Sequence, residues 1–408
     1  MKRIFLLFLL AVIFLSCSAE KQKTDTEIES DSTVDTFKIE EPLPIPGAAA
    51  FDEYLPILEG KKVGLVVNHT SLIGDVHLLD TLLAQGITVT KIYAPEHGFR
   101  GEADAGAHIE SSVDSKTGVP IVSVYGSKRK PDAKDLEDVD VLVFDIQDVG
   151  ARFYTYISTM HYMMEASAEN NKQMLVLDRP NPNGDYIAGP IRAEGLSSFV
   201  GLDPIPLVHG LTVGELAKMI NGEGWLAGNK SCDLTIIPVK NYDHNTKYSL
   251  PVAPSPNLPN DVSIRLYPSL CLFEATVMSI GRGTDFPFQV VGYPDSTYGN
   301  FEFTPVSIPG KSTHPKLEDQ KCYGVDLRNT SLDHQFTLKY IIDFYKKAGN
   351  HPKYIDRSQV FNRLAGNTTL QQQLKDGLSE EEIMKSWEPE LAEYRQMREQ
   401  YLLYPDFE

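Results

Sequence analysis

Cysteine is scarce in this chain: 408 residues hold four, at positions 17, 232, 271 and 322. With Cys17 set aside, the remaining three allow one disulfide at most and match no zinc-ligand spacing. Cys271, inside SLCLFEA, reads as a buried core thiol. Positive charge is also short. The 38 Lys and Arg against 56 Asp and Glu give a formal charge of −18, which disfavours a nucleic-acid partner, whose phosphates need a basic face. No long apolar run follows the N-terminal one, so no internal transmembrane helix is expected. Several motifs are missing as well: a Walker A loop, a G-x-S-x-G elbow and an H-E-x-x-H helix. The glycines of NGEGWLAG (Gly222, Gly224, Gly228) follow a predicted helix rather than a first strand, with the wrong spacing for a dinucleotide fingerprint. Nucleotide chemistry is therefore not expected.

The N-terminus reads MKRIFLLFLLAVIFLSC. Lys2 and Arg3 form a positive start, residues 4–15 an apolar stretch too short for an ordinary spanning helix, and Leu15-Ser16-Cys17 resembles a bacterial lipobox. The expectation is an exported lipoprotein, cleaved before Cys17 and lipidated there, anchored to the outer membrane and facing the periplasm or the cell surface. Residues 18–45 are polar, acidic and rich in Ser and Thr, and read as a flexible tether. Such an address favours cell-wall, glycan, peptide or nutrient substrates over cytosolic metabolites.

From Lys62 the texture is that of an α/β protein. Apolar runs at 63–67, 87–93, 121–125, 139–146 and 174–177 alternate with helix-like stretches near 76–85 and 156–169. Near-continuous apolar strands separated by helices predict a parallel sheet covered on both faces. A further helix should start after Leu211, where Thr212 and Glu215 form a capping-box pattern. Four prolines between 251 and 259 mark a crossing. Helices are expected within 332–348 and 379–402. The predicted organisation is a signal at 1–17, the tether at 18–45, a Rossmann-like open parallel sheet domain at 46–250 and a smaller α+β C-terminal domain at 251–408.

Ligands of open parallel sheets bind at the carboxyl ends of the strands. Four segments leaving those ends are polar: NHTS from Asn68, APEHGFRG from Ala94, DIQDVGARFYTY from Asp145, and DRPNP from Asp178. Four such loops on one edge point to a site. Glycoside cleavage needs a proton donor near the leaving oxygen and a second group that stabilises the oxocarbenium ion or activates water. Glu96, with Asp145 and Asp148 on a neighbouring loop, could supply them. Asp145 has an alternative role, fixing the turn through loop amides. A metal site from Glu96, His97, Asp104 and His108 matches no standard ligand spacing.

These segments, with PLVHGLTVGELA, the Pro-Ser-Pro-Asn-Leu-Pro stretch from Pro254 and LFEATVMSIGRGTDFPF, resemble the NamZ-type exo-β-N-acetylmuramidases of bacterial cell-wall recycling. The likeness runs from about Val63 through Phe288, with a C-terminal continuation. It implies a cleft between a Rossmann-like domain and a smaller C-terminal domain, release of N-acetylmuramic acid from non-reducing ends of peptidoglycan-derived muropeptides or disaccharides, and no nucleotide or metal cofactor. It further implies Glu96 as general acid or base, and Asp145 or Asp148 as the second carboxylate. His97, Arg152, Tyr156, His209, Asn257, Glu274 and Arg282 would line the pocket, with Arg152 or Arg282 meeting the lactyl carboxylate. Glu274 and Arg282 have a second reading as a structural ion pair. Ala275 departs from the glycine more usual there. The competing functions are a non-catalytic lipid-anchored glycan-binding protein and a metal-assisted cell-wall amidase or esterase.

Overall fold

The computed structural model describes residues 42–99, 112–349, 351 and 353–407. The predicted signal with Cys17, nearly all of the tether, and Arg100, Gly101, Asp104 and His108 lie outside the described residues. Ile45, at the end of the predicted tether, is already paired with Lys240 through two 2.9 Å backbone hydrogen bonds.

The larger sheet is built from β1 (Lys62–Val67), β2 (Thr88–Ala94), β3 (Ser112–Val113), β4 (Pro120–Ser123), β5 (Val141–Asp145), β6 (Gln173–Leu177) and β7 (Asp233–Ile237). Their order is β3-β4-β2-β1-β5-β6-β7, with only the β3 edge antiparallel. Side chains alternate between the two faces, and each face has its own core. Val63, Leu65, Val67, Val141, Val143, Leu175 and Leu177 pack with Tyr54 and Leu58 of α1 (Phe51–Leu58) and with Leu78, Leu79 and Leu82 of α2 (Leu78–Ala84). The alternate residues Val66, Leu142, Phe144, Met174 and Val176 face Met160, Met163 and Met164 of α3 (Tyr156–Glu169) and Leu216 and Met219 of α4 (Val213–Gly222). The doubly covered sheet predicted from the apolar runs is thus present. Gly64 admits the ring of Tyr93, because a Cβ there would sit 2.8 Å from it.

The capping box at α4 forms as read: Thr212 Oγ1 accepts from the Glu215 amide, and Glu215 accepts from the Thr212 amide. Two elements differ from expectation. Residues 76–77 pair with 72–73 as a short hairpin, and α2 starts after them. The stretch 379–402 is two helices, Glu380–Lys385 and Glu388–Glu399, the second opened by a proline in its first turn.

Beyond the proline-rich crossing, Asn260 and Ser263 cap α5 (Asp261–Leu270). A smaller antiparallel sheet follows, with β8 (Val290–Tyr293) and β9 (Phe301–Phe303) flanking β10 (Cys322–Asp326). Helices α6 (Lys339–Lys347) and α7 (Ser358–Ala365) complete this part around the site. Its aromatic residues Tyr267, Phe273, Phe288, Phe344 and Tyr394 belong to the same core as α3 and α4. The chain end returns to the large sheet, where Tyr404 donates to Asp178 at 2.6 Å. No helix among the described residues is long and apolar enough to cross a membrane.

Candidate active site

The segments leaving the carboxyl ends of β2 and β5 supply one wall of a cleft of about 480 Å³, which adjoins a tighter pocket of about 70 Å³. Glu96, Phe153, Thr155, Tyr267 and Arg282 line both. The opposite wall comes from the proline-rich segment, α5, the loop before β8 and the loop between β9 and β10.

Glu96 sits two residues past β2, in a turn closed by the Gly98 amide donating to the Pro95 carbonyl at 3.0 Å. His97 holds φ 67° at the third position of that turn, a conformation that favours glycine. Such strain in a non-glycine residue concentrates at functional sites. The turn presents a half-buried carboxylate with both oxygens held. Tyr125, just past β4, donates to Oε1 at 2.9 Å. Thr155, one residue before α3, donates to Oε2 at 2.8 Å. Tyr156 Oη donates to the Glu96 carbonyl at 3.4 Å. His97 Nε2 lies 3.5 Å from Ser255 Oγ on the proline-rich segment.

Arg282 faces the same cleft. Its Nε donates to Glu274 Oε1 at 2.5 Å, and its guanidinium lies 5.0 Å from the centroid of the Phe288 ring. No hydrogen bond engages its two terminal nitrogens among the described residues. For Glu274, burial alone would raise the pKa, but Arg282, with Lys316 and Arg357, outweighs it and holds the carboxyl below its ordinary value. Glu274 and Arg282 therefore form the ion pair of the structural reading and also line the cleft. Asn257 lines it too, with its side-chain amide on the Lys311 carbonyl at 2.8 Å.

Four predicted site residues are not brought into the cleft. Asp145 is fully buried, its two oxygens taking Nε and Nη2 of Arg179 at 2.5 and 2.9 Å. This is the turn-fixing alternative, with a guanidinium in place of loop amides. Asp148 is buried under the loop, where Oδ2 accepts from the Gly150 amide at 2.7 Å and lies 3.3 Å from His209 Nε2. His209 is itself fully buried, and its Nδ1 accepts from the Leu211 amide, which puts the ring proton on Nε2, toward Asp148. Arg152 is corrected most clearly as a candidate for the lactyl carboxylate. It is completely buried, and its terminal nitrogens donate to four carbonyls, those of Pro190, Ile205, Leu364 and Ala365. Gly366 completes its cradle, since a Cβ there would lie 2.3 Å from Arg152 Nη2. Burial, then the charge of Arg192, lowers its pKa to about 9.

Residues that sequence reasoning did not single out as site residues also line the cleft or hold Glu96. Tyr125 ends a predicted strand, and its strand-end position was the available signal. Thr155 lay unweighted inside a motif already quoted. Tyr267 sits within α5, and nothing in its sequence neighbourhood marks it. Cys232, Cys271 and Cys322 are free thiols, and burial pushes the Cys271 thiol well above its ordinary value, as befits a core residue. Ala275 is buried and is not among the residues with positive φ, so glycine is not required there.

Two carboxylates, Glu96 and Glu274, and the Arg282 guanidinium line one cleft of saccharide size, groups that glycoside hydrolysis can use. The family model described as exo-beta-N-acetylmuramidase NamZ, N-terminal, matches residues 63–262, and its C-terminal counterpart matches 265–404. The peptidoglycan beta-N-acetylmuramidase NamZ of Bacillus subtilis strain 168 is 40% identical over 376 residues, 86% of this chain and 89% of that protein. A DUF1343 family protein of Bacteroides fragilis superposes with a TM-score of 0.83 at 45% identity, over 90% of this chain and all of the other. A second DUF1343 protein of that organism gives 0.77 at 30% identity, over 88% and 99%. The chain belongs to the NamZ exo-β-N-acetylmuramidase family.

Proposed function

We propose that this protein is an exo-acting glycosidase that hydrolyses β-1,4-linked N-acetylmuramic acid from the non-reducing end of peptidoglycan fragments, with Glu96 as general acid/base. The observation that carries the residue assignment is the placement of Glu96. Its carboxylate is oriented by Tyr125 and Thr155 at the cleft that Arg282 faces. Two hydroxyl rotors beside a carboxyl can donate to its charged form or accept from its protonated form, so the pair serves both halves of acid–base chemistry. Arg282 is the cation for the lactyl carboxylate, because its terminal nitrogens have no hydrogen-bond partner among the described residues while those of Arg152 are committed to carbonyls. His97, Tyr156 and Asn257 complete the pocket.

The second role in glycoside cleavage falls to Glu274 or to the substrate's own 2-acetamido oxygen. Asp145 and Asp148 are buried away from the cleft lining. Substrates with fluorinated N-acyl groups separate the two. A rate that falls steeply as the acyl oxygen loses basicity assigns the nucleophile to the substrate.

The experiment for the reading as a whole uses peptidoglycan fragments that carry N-acetylmuramic acid at non-reducing ends. Mass spectrometry follows its release with and without EDTA. EDTA-insensitive release is expected. Binding without release would make the protein a glycan-binding lipoprotein, and chelator-sensitive products that keep the glycosidic bond would make it an amidase or esterase. We also propose that the mature chain is anchored to the outer membrane through a lipid on Cys17. Incorporation of labelled palmitate that Cys17→Ser abolishes is the expected result.

A further inference from the structure

A second cavity, of about 350 Å³, lies in the C-terminal part between the end of β8, the Ser296–Tyr298 turn and the end of α6. It shares no lining residue with the cleft. Its size falls in the range of small-molecule sites, about 300–1,000 Å³.

Three tyrosines line it, and each is held rigidly. Tyr293 and Tyr298 meet edge to face with centroids 5.5 Å apart, Tyr298 stacks on Phe344 at 5.7 Å, and Tyr354 packs against Tyr345 at 5.3 Å. Tyr354 is 1% exposed, yet its buried hydroxyl has no hydrogen-bond partner among the described residues. A buried donor left without an acceptor is costly, and one lining a cavity is poised for an acceptor that arrives with a ligand. Burial keeps this phenol neutral, a donor at any physiological pH.

The charge at the rim is of one sign. Lys353 is exposed, and its ammonium has no ion-pair partner among the described residues. His351 is beside it, and its Nδ1 accepts from the Lys353 amide at 3.1 Å. No carboxylate lines the cavity among the described residues. The nearby Asp295 accepts from the Thr297 amide outside it. In a chain of net charge −18, an unneutralised lysine over aromatic walls selects for an anion with apolar faces.

We propose that this cavity is a second saccharide site, which takes a carboxylate-bearing amino sugar of the polymer at a distance from the cleft. Tyr293 and Tyr298 present ring faces to the sugar, Lys353 meets its carboxylate, and the Tyr354 hydroxyl donates to an oxygen at the base of the site. The identity of the ligand rests on the proposed muramidase reading; the site itself does not. Its use is to hold an insoluble glycan while a chain end enters the cleft, so it raises the local concentration of ends without touching the chemistry.

The test titrates free N-acetylmuramic acid calorimetrically into the full-length protein in detergent. It also measures turnover on a soluble disaccharide and on insoluble peptidoglycan. Two binding sites are expected. Lys353→Glu should weaken one of them about tenfold, lower the rate on insoluble peptidoglycan to a similar degree, and leave disaccharide turnover unchanged. Tyr354→Phe, which keeps the ring and removes only the orphaned hydroxyl, should weaken the same site while keeping the fold. N-acetylglucosamine, lacking the carboxylate, should bind there at least tenfold more weakly. A single site that Arg282→Ala removes and Lys353→Glu leaves intact overturns the proposal, as do two sites indifferent to both variants or equal binding of the uncharged sugar. Arg282→Ala keeps the two readings apart: it should remove the cleft site alone. A surviving Lys353-dependent site in a protein without disaccharide turnover would sink the muramidase reading and leave this one standing.

Discussion

Two groups of charged residues lie near the same edge of the large sheet and have opposite fates. Below the loops, Asp145 pairs with Arg179, Asp148 lies against His209, and Arg152 holds four carbonyls, all inside the protein. In the cleft, two hydroxyls orient Glu96, and no hydrogen bond engages the terminal nitrogens of Arg282 among the described residues. Residue type does not separate the groups; what each polar atom already touches does. A buried ion pair holds a loop in place, whereas a charged group that lines a cavity can act on a ligand.

The largest effect that tests this contrast is at Glu96. Glu96→Gln keeps the shape of the side chain and removes its proton chemistry, so kcat on the natural disaccharide should fall by about 10²–10⁴, with an unchanged unfolding midpoint. On a nitrophenyl glycoside, whose leaving group needs little protonation, the loss should be much smaller if Glu96 serves the leaving oxygen. Wild-type turnover of both substrates would remove Glu96 from the chemistry. Asp145→Asn should behave in the opposite way. It leaves the Arg179 guanidinium buried without a counter-charge, a change that typically costs about 3–5 kcal/mol. Denaturant unfolding should record that loss, while kcat per folded molecule stays near wild type. A stable Asp145→Asn that has lost turnover would break the comparison.

The sequence made the strand ends legible because buried parallel strands are apolar along their whole length, and the polar segments between them stand out. The α4 cap was legible because Thr212 and Glu215 are bonded to each other's amides across three residues. Contacts over long separations were not. Arg152 reaches carbonyls 212 and 213 residues away, and Asp145 meets Arg179 34 residues on. A motif string does not record which of its side chains turn inward. The same limit hid Tyr125, whose role depends on a hydroxyl meeting Glu96 across 29 residues.

A smaller effect extends the contrast to pH. His161 of α3 is buried between Asp203 at 2.8 Å and Glu165 at 3.2 Å. Burial alone would lower its pKa, but the two carboxylates outweigh it and raise it from 6.5 to about 9. The group's contribution is therefore complete below pH 6.5, where folded and unfolded chains both hold the proton, and it is lost as pH rises through 9. The shift corresponds to roughly 3 kcal/mol. Unfolding free energies at pH 6 and pH 9.5 should differ by about that amount more in the wild type than in His161→Gln, which has no proton to release. Equal pH dependence in the two proteins would show that the cluster is not held as an imidazolium between carboxylates.

The smallest effect separates the cleft from its floor most finely. Tyr125 and Thr155 donate to different oxygens of Glu96, so each fixes the direction in which the carboxyl faces the cleft. Tyr125→Phe deletes one donor and keeps the ring, which packs against Phe199 with centroids 5.8 Å apart. The kcat/KM on the disaccharide should then fall about tenfold, the worth of one hydrogen bond to a charged group. Thr155→Val should lower it likewise, and the double variant further. Asp145→Asn should leave the rate per folded molecule near wild type, because Asp145 is not part of the cleft lining. If Tyr125→Phe turns over as fast as the wild type while Glu96→Gln is inactive, Glu96 stays catalytic and the two hydroxyls only fill space.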